Sequence, residues 1–229
     1  MGSVREELEE YGAALDLYHL AFDVYGFVNK DNVMDRDIAR ILANIGNIYS
    51  KLGSNNKSME YFEHALQIIV MSLEPEDIKV IEITSLVICM GLLYIEEEEY
   101  DKAMILLTNA LKLQRKTLGT YHLYVASTLC HIARVYSLTN REKAAISAYN
   151  SAVSIKMNLL GSNDASVGSL LFLIGSSYKK LKNLKKAIIY LTEARTVFIQ
   201  GGNSNCPEAK AAYSLLEFTR SSLYLTEKK

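Results

Sequence analysis

The chain of 229 residues has two prolines, no tryptophan and only twelve glycines. So little turn-forming material argues against an all-β fold, which needs a tight reversal after every strand. The three cysteines, Cys89, Cys130 and Cys206, are an odd number with no CxxC pair. They fit neither a disulfide framework nor a zinc knuckle, and they point to a reducing, cytoplasmic setting. The longest weakly polar run, Ile83 to Ile95, is 13 residues and contains Thr84 and Ser85. A bilayer crossing needs ~20 apolar residues, so no membrane insertion is expected. The opening MGSVREELEE has no apolar core region and is not a secretory leader. With 49% hydrophobic and 22% charged residues, the chain has the composition of a folded protein rather than a disordered one.

What the chain does have is internal repetition. The strings IGNIY (from Ile45), MGLLY (Met90), IARVY (Ile132) and IGSSY (Ile174) each place a small residue three positions before a tyrosine. Gly46, Gly91, Ala133 and Gly175 are spaced by 45, 42 and 42 residues. Two further ladders, Ser58/Ala103/Ala145/Ala187 and Ala65/Ala110/Ala152/Ala194, shift by the same amounts. Within a unit the period is helical: Leu42, Ile45 and Tyr49 share one face, as do Ser58, Phe62, Ala65 and Leu66. Short polar joints, LGSNN, EEEE, TNRE and LKNL, separate the two segments. Each unit therefore reads as two antiparallel helices, A and B, with small residues where their backbones approach.

HEAT and armadillo repeats share a period near ~42 but not this pattern, and WD40 repeats require alternating rather than helical periodicity. A small residue in helix A, a tyrosine three later and alanine at two points in helix B resemble the tetratricopeptide repeat. The segments LGTYHLYVASTLCHIARVY (Leu118–Tyr136) and LLGSNDASVGSLLFLIGSSY (Leu159–Tyr178) are similar to its kinesin-light-chain and nephrocystin type. The match rests on Leu118, Gly119, His122, Val125, Ala126, Leu129, Ala133 and Tyr136. The resemblance implies an all-α, right-handed superhelical solenoid of antiparallel helix pairs. It also implies protein binding, with roles in transport or in cytoskeletal and ciliary assemblies.

The expected organisation is one solenoid over residues 1–229. Residues 11–28 form helix B of a truncated first repeat, because Ala14, Tyr18 and Ala21 lie 44 positions before Ser58, Phe62 and Ala65. Full repeats follow at 37–73, 80–118, 124–160 and 166–200, and a capping helix at 207–226 starts on Pro207. The reduced first repeat and the opening Met-Gly-Ser make the chain read as a piece of a longer protein.

No HExxH, GxSxG or GxxxxGK[ST] occurs, so neither a catalytic nor a cofactor or metal site is expected. His131 is adjacent to Cys130, but neighbouring helical residues diverge by ~100° and do not face each other. His122 reads as a loop-capping histidine, and Glu96–Glu99 as a solvated turn that lacks the glycine and spaced ligands of a calcium loop. The expected function is a non-enzymatic scaffold that binds a peptide or helical segment in the groove lined by the A helices. Counting from the small residue places Arg40, Asn44 and Asn47 in that groove, then Ile88, Cys89 and Leu92, then His131 and Arg134, then Phe172, Leu173 and Ser176. The family often has asparagine two positions before the small residue, where its amide holds a peptide backbone. Asn44 keeps it, while Cys89, His131 and Leu173 depart.

Charge is unevenly spread under a net value of −1. Residues 1–115 carry 20 acidic and 10 basic side chains, and residues 116–229 carry 6 acidic and 15 basic. Lys179, Lys180, Lys182, Lys185 and Lys186 cluster at one helix joint. An acidic or apolar protein segment is the expected partner, and the missing aromatic interleaving argues against nucleic acid. Opposite charge at the two ends also predicts weak, salt-sensitive head-to-tail self-association. The alternative is a regulatory or sensor domain within a larger multidomain signalling protein or enzyme.

Overall fold

The computed structural model describes residues 2–28, 36–71 and 76–227. Its ten helices are α1 (Gly2–Val28), α2 (Arg36–Lys51), α3 (Asn55–Met71), α4 (Glu76–Glu96), α5 (Tyr100–Leu118), α6 (Leu123–Leu138), α7 (Glu142–Leu160), α8 (Ala165–Lys180), α9 (Leu184–Gln200) and α10 (Pro207–Glu227). No strand occurs among the described residues. The four expected A–B pairs are α2–α3, α4–α5, α6–α7 and α8–α9; residues 72 and 73 of the first pair lie outside the described residues. The first helix begins at Gly2, nine positions before the expected start at Tyr11. The chain divides into two compact units, Met1–Leu113 and Gln114–Lys229, with the division inside α5.

Close packing explains the small-residue ladders. In the first unit a Cβ built on Gly46 would lie 2.8 Å from the ring of Phe62. In the second, one on Gly175 would lie 2.8 Å from Leu191, and one on Gly168 would lie 3.0 Å from Phe198. The large B-helix side chain thus fills the space that glycine leaves on helix A. Ser58 adds a hydrogen bond, its hydroxyl donating to the Gly46 carbonyl at 2.8 Å. All eight B-helix ladder residues, from Ser58 and Ala65 to Ala187 and Ala194, are buried.

The turns inside the pairs form a ladder of their own. Gly53, Glu98, Asn140 and Lys182 all have left-handed backbone angles, φ between 57° and 71°. The amide after each one donates to the carbonyl of the A-helix tyrosine: Ser54 to Tyr49 at 2.8 Å, Glu99 to Tyr94 at 2.8 Å, Arg141 to Tyr136 at 2.7 Å and Asn183 to Tyr178 at 2.9 Å. This closure satisfies carbonyls that a helix end leaves unpaired.

The two terminal helices carry the repeat register to its limits. In α10 the buried residues Ala209, Ala212, Leu216 and Thr219 lie 42 positions after the buried Val167, Leu170, Ile174 and Ser177 of α8. Where α8 meets its own B helix through Gly168 and Gly175, α10 has Lys210 and Glu217, both exposed. So α10 is an A-type helix whose partner-facing side has become charged. It packs on α9 and α8. In α1, by contrast, Ala14, Tyr18 and Ala21 are only half-buried at positions where α3 has fully buried residues.

Candidate functional site

The A-helix positions named from the sequence differ in exposure from helix to helix. In the first unit α2 is strongly amphipathic, with Ile38, Ala39, Leu42, Ile45, Gly46 and Ile48 buried. That leaves Arg40, Asn44 and Asn47 exposed along the opposite side. Arg40 donates to the Asp37 carboxylate at 2.9 Å across a solvated pair, and the two asparagines stand one helical turn apart. On α4 the positions differ in kind. Ile88, Cys89 and Leu92 are half-buried, and Cys89 packs against the unit's apolar cluster around Ile38, Phe62 and Leu86. Burial pushes the Cys89 thiol up, so it stays protonated at neutral pH.

In the second unit Arg134 and Leu173 are exposed, Leu173 at 36%, while His131, Phe172 and Ser176 are half-buried. Burial, and then the Arg134 cation, lower the His131 pKa, which keeps the ring neutral at pH 7. Cys130 donates to the Ala126 carbonyl at 3.0 Å, and burial raises its pKa. A reactive thiol needs the opposite shift. Behind this face Tyr149 is buried, and its hydroxyl is pushed up to about 12 by burial and by Cys130 and Glu142. His122 caps α6 as expected, its Nδ1 accepting from the Tyr124 amide at 3.2 Å.

The lysine cluster resolves into individual contacts. Lys180 binds the Glu142 carboxylate at 2.8 Å and donates to the Ser137 hydroxyl at 2.8 Å. Glu142 is only 5% exposed. Burial raises its pKa, but hydrogen bonds from Lys180, Ser177 and Ser137 outweigh that and hold it below its ordinary value. Lys179 lies over the Phe218 ring at 4.3 Å, and Lys186 over Tyr178 at 5.4 Å. Lys182 and Lys185 are exposed. Because a ring contact does not neutralise charge, this edge stays cationic. Arg141 and Lys143, both exposed, stand on the neighbouring joint and enlarge it. Sequence distance hid them: Lys143 reaches the cluster only because α7 and α8 pack together. A hollow of 430 Å³ lies among Lys143, Ile146, Tyr178, Leu181, Asn183 and Lys186.

Two features escaped the sequence reading. Each A-helix tyrosine carries a cation over its ring: Lys57 over Tyr49 at 5.1 Å, Lys102 over Tyr94 at 5.4 Å, Arg141 over Tyr136 at 4.7 Å and Lys186 over Tyr178. Three of these cations lie eight residues after their tyrosine, a spacing visible only once the turn geometry is known. The second is an open, mostly apolar groove of 680 Å³ between α7 and α9, floored by Val167 and Leu171 of α8 and rimmed by Met157 and Ile189.

No helix among the described residues is long and apolar enough to cross a membrane. The tetratricopeptide-repeat sequence profile matches residues 82–158 in one form and residues 39–69 and 168–194 in another. No curated protein matches the chain by sequence. Among solved structures it is similar to BtubC (BKLC) of P. vanneervenii, with 15% identity and a TM-score of 0.71 over 93% of this chain and 92% of that one. A Podospora anserina protein of nearly identical, kinesin-light-chain TPR-like repeats gives 16% identity and a TM-score of 0.69, covering 85% of this chain and 90% of that one. Aspartyl phosphate phosphatase F from Bacillus subtilis gives 18% and 0.68 over 93% of this chain, which spans 53% of that protein. At such identities the likeness is one of fold. With its glycine and alanine ladders, its tyrosine-ended A helices and the profile matches along the array, the chain belongs to the tetratricopeptide-repeat family.

Proposed function

We propose that this chain is a non-enzymatic protein-interaction scaffold whose A-helix faces hold a peptide or helical segment of another protein, in the cytoplasm. The observation that carries this reading is the exposed Asn44 and Asn47 pair on α2, set beside a fully buried apolar face. Two carboxamides one turn apart offer donors and acceptors to a peptide backbone without the desolvation cost of a charge. In the second unit Arg134 and Leu173 supply a cation and an apolar contact on the corresponding faces. The cationic edge around Lys182, Lys185 and Lys143 favours a partner with acidic residues.

Affinity capture with mass spectrometry, comparing the native chain with an Asn44→Ala, Asn47→Ala double variant, tests this. At least one partner should be lost or strongly depleted from the variant; if every partner is retained equally, the asparagine face is not the site. A second reading, a regulatory module of a larger protein, is supported by the chain spanning only 53% of aspartyl phosphate phosphatase F.

A further inference from the structure

We propose that the hollow at the joints of the second unit receives one phosphorylated tyrosine side chain of a partner protein, in a segment with further acidic residues on either side. The proposal rests on the scaffold reading above but makes no use of its asparagine face.

The first unit supplies the comparison. The hollow lies among Lys143 and Ile146 at the start of α7, Tyr178 and Leu181 at the end of α8, and Asn183 and Lys186 at the start of α9. The same register positions in the first unit hold Asn56, Met59, Tyr94, Glu97, Glu99 and Lys102. There the cation over the tyrosine is neutralised: Lys102 lies 5.4 Å from the Tyr94 ring centre and 3.3 Å from the Glu99 carboxylate. In the second unit Lys186 keeps the ring contact with Tyr178, but the uncharged Asn183 stands in place of Glu99. Lys143 stands where the first unit has Asn56, and Lys182 where it has Glu98. Both joints have the left-handed turn and the amide bond to the tyrosine carbonyl. The same turn geometry therefore carries an acidic joint in the first unit and a cationic one in the second.

The carboxylates of this region do not neutralise the hollow. Glu142, beside Lys143, is 5% exposed and bound by Lys180 at 2.8 Å. Glu217 of α10 is paired with Arg220 at 3.1 Å, and Glu193 stands seven residues beyond Lys186 along α9. Among the described residues no carboxylate pairs with Lys143 or Lys186. Asn183 adds a donor, because its Oδ1 caps α9 by accepting from the Lys186 amide at 3.1 Å and leaves its NH2 group for a ligand. No acidic residue stands in the first turn of α9, so the partial positive charge of that helix start adds to the two ammonium groups.

Shape selects among anions. Ile146, Leu181 and Tyr178 make the rest of the wall apolar, and 430 Å³ falls within the ~300–1,000 Å³ of sites that enclose a small ligand. Aspartate or glutamate brings one charge on a short stem, too little to serve both lysines and fill that space. A phosphotyrosine brings an aryl stem for the apolar wall, about −1.5 to −2 of charge at pH 7, and three acceptor oxygens for the two ammonium groups and the amide. Arg141 and Lys182, exposed outside the hollow, extend the positive field beyond one phosphate. The complementary ligand is thus a protein segment with flanking acids rather than a free phosphate ester.

A fluorescein-labelled peptide with a single phosphotyrosine between glutamates is titrated into the full chain at ~0.15 M salt and followed by anisotropy. Amide chemical shifts of the isotope-labelled chain map its footprint. Saturable binding is expected, with the largest shifts in residues 141–146 and 178–186. The same peptide with plain tyrosine, or with glutamate in place of the phosphotyrosine, should bind at least about tenfold more weakly. Lys143→Gln with Lys186→Gln should weaken the phosphopeptide by a similar factor. So should Asn183→Asp, which keeps a capping oxygen on α9 and restores the carboxylate that the first unit has beside Lys102. Two controls should bind as the native chain does: Lys210→Gln, which removes an exposed cation elsewhere in the unit, and Asn44→Ala with Asn47→Ala, which separates this site from the asparagine face. No saturable binding, equal affinity for the glutamate peptide, or a comparable loss in either control would overturn the proposal. Displacement of the peptide by inorganic phosphate at matching concentration would make the occupant a small phosphate compound and overturn it. Tighter binding of a single-stranded oligonucleotide, abolished by the same lysine substitutions, would overturn it in favour of nucleic acid.

Discussion

Helices α1 and α10 carry side chains of opposite kind at the positions where an inner helix of the repeat meets its own pair partner. In α10 the buried register of α8 is kept at Ala209, Ala212, Leu216 and Thr219, while Lys210 and Glu217 replace the glycines that would admit a further helix. In α1 the partner-facing register stays apolar at Ala14, Leu17, Tyr18, Ala21 and Val24. A charged face is stable in water and refuses a close-packed helix; an apolar one is the reverse on both counts. The corresponding face is polar in α10 and apolar in α1.

The sharpest way to break this comparison is to truncate one large residue on each helix. Leu216→Ala, at 1% exposure, should cost about 2–5 kcal/mol, whereas Leu17→Ala should stay within about 0.5 kcal/mol. Urea unfolding of both variants measures the contrast, and equal losses would mean that α1 is as tightly packed as α10. Next in size is the ladder alanine. Ala194→Leu overpacks a fully buried site and should cost about 1–3 kcal/mol, while Ala21→Leu should leave the free chain almost unchanged. Thermal melts would show the first shift without the second.

A smaller effect separates the polar supports of the second unit from the open helix. Glu142→Gln should cost about 1 kcal/mol at pH 7, because Lys180 is half-solvated and the Ser137 bond partly survives. The sign with pH follows from the lowered carboxyl pKa. Its stabilisation is complete above the ordinary glutamate value and is lost as pH falls through the lower folded value. Melts from pH 7 to pH 3 should therefore converge for native and Glu142→Gln chains; a constant gap would remove the ion pair from the account. The smallest change is a gain. Lys182→Gly relieves a left-handed lysine and should stabilise by about 0.5–1 kcal/mol, whereas Gly53→Ala at the equivalent turn should destabilise. Chemical denaturation of the two single variants resolves them.

Much of the fold could be read from the chain because a repeat multiplies weak signals. One glycine before a tyrosine says little, but Gly46, Gly91, Ala133 and Gly175 in step with two alanine ladders locate every A–B pair. His122 was legible for the same reason, as part of a recurring loop, and it does cap α6. The candidate faces were less legible. Cys89 and Leu173 occupy the same register position, yet Cys89 packs into an apolar cluster and Leu173 faces outward. Five lysines within eight residues read as a uniform patch, but Lys180 is held by Glu142, a residue 38 positions earlier. Register gives a direction relative to one helix, and only the neighbouring helix decides whether that direction is filled.

The division between sequence and tertiary structure follows from range. The sequence by itself determined the helical period, the pairing of A with B, and the places where backbones must come close, since these depend on contacts within a single repeat and recur in each. It also determined that the last helix is charged where a partner would sit. Only tertiary structure decided that Glu98 and Lys182 take a left-handed conformation that side chains resist, since closing the tyrosine carbonyl outweighs the local strain. It alone showed the cations over the tyrosine rings, and it alone left Leu17 and Val24 of α1 uncovered. Those outcomes depend on how each joint closes and on which surfaces then meet, and the periodicity of a single helix does not encode that.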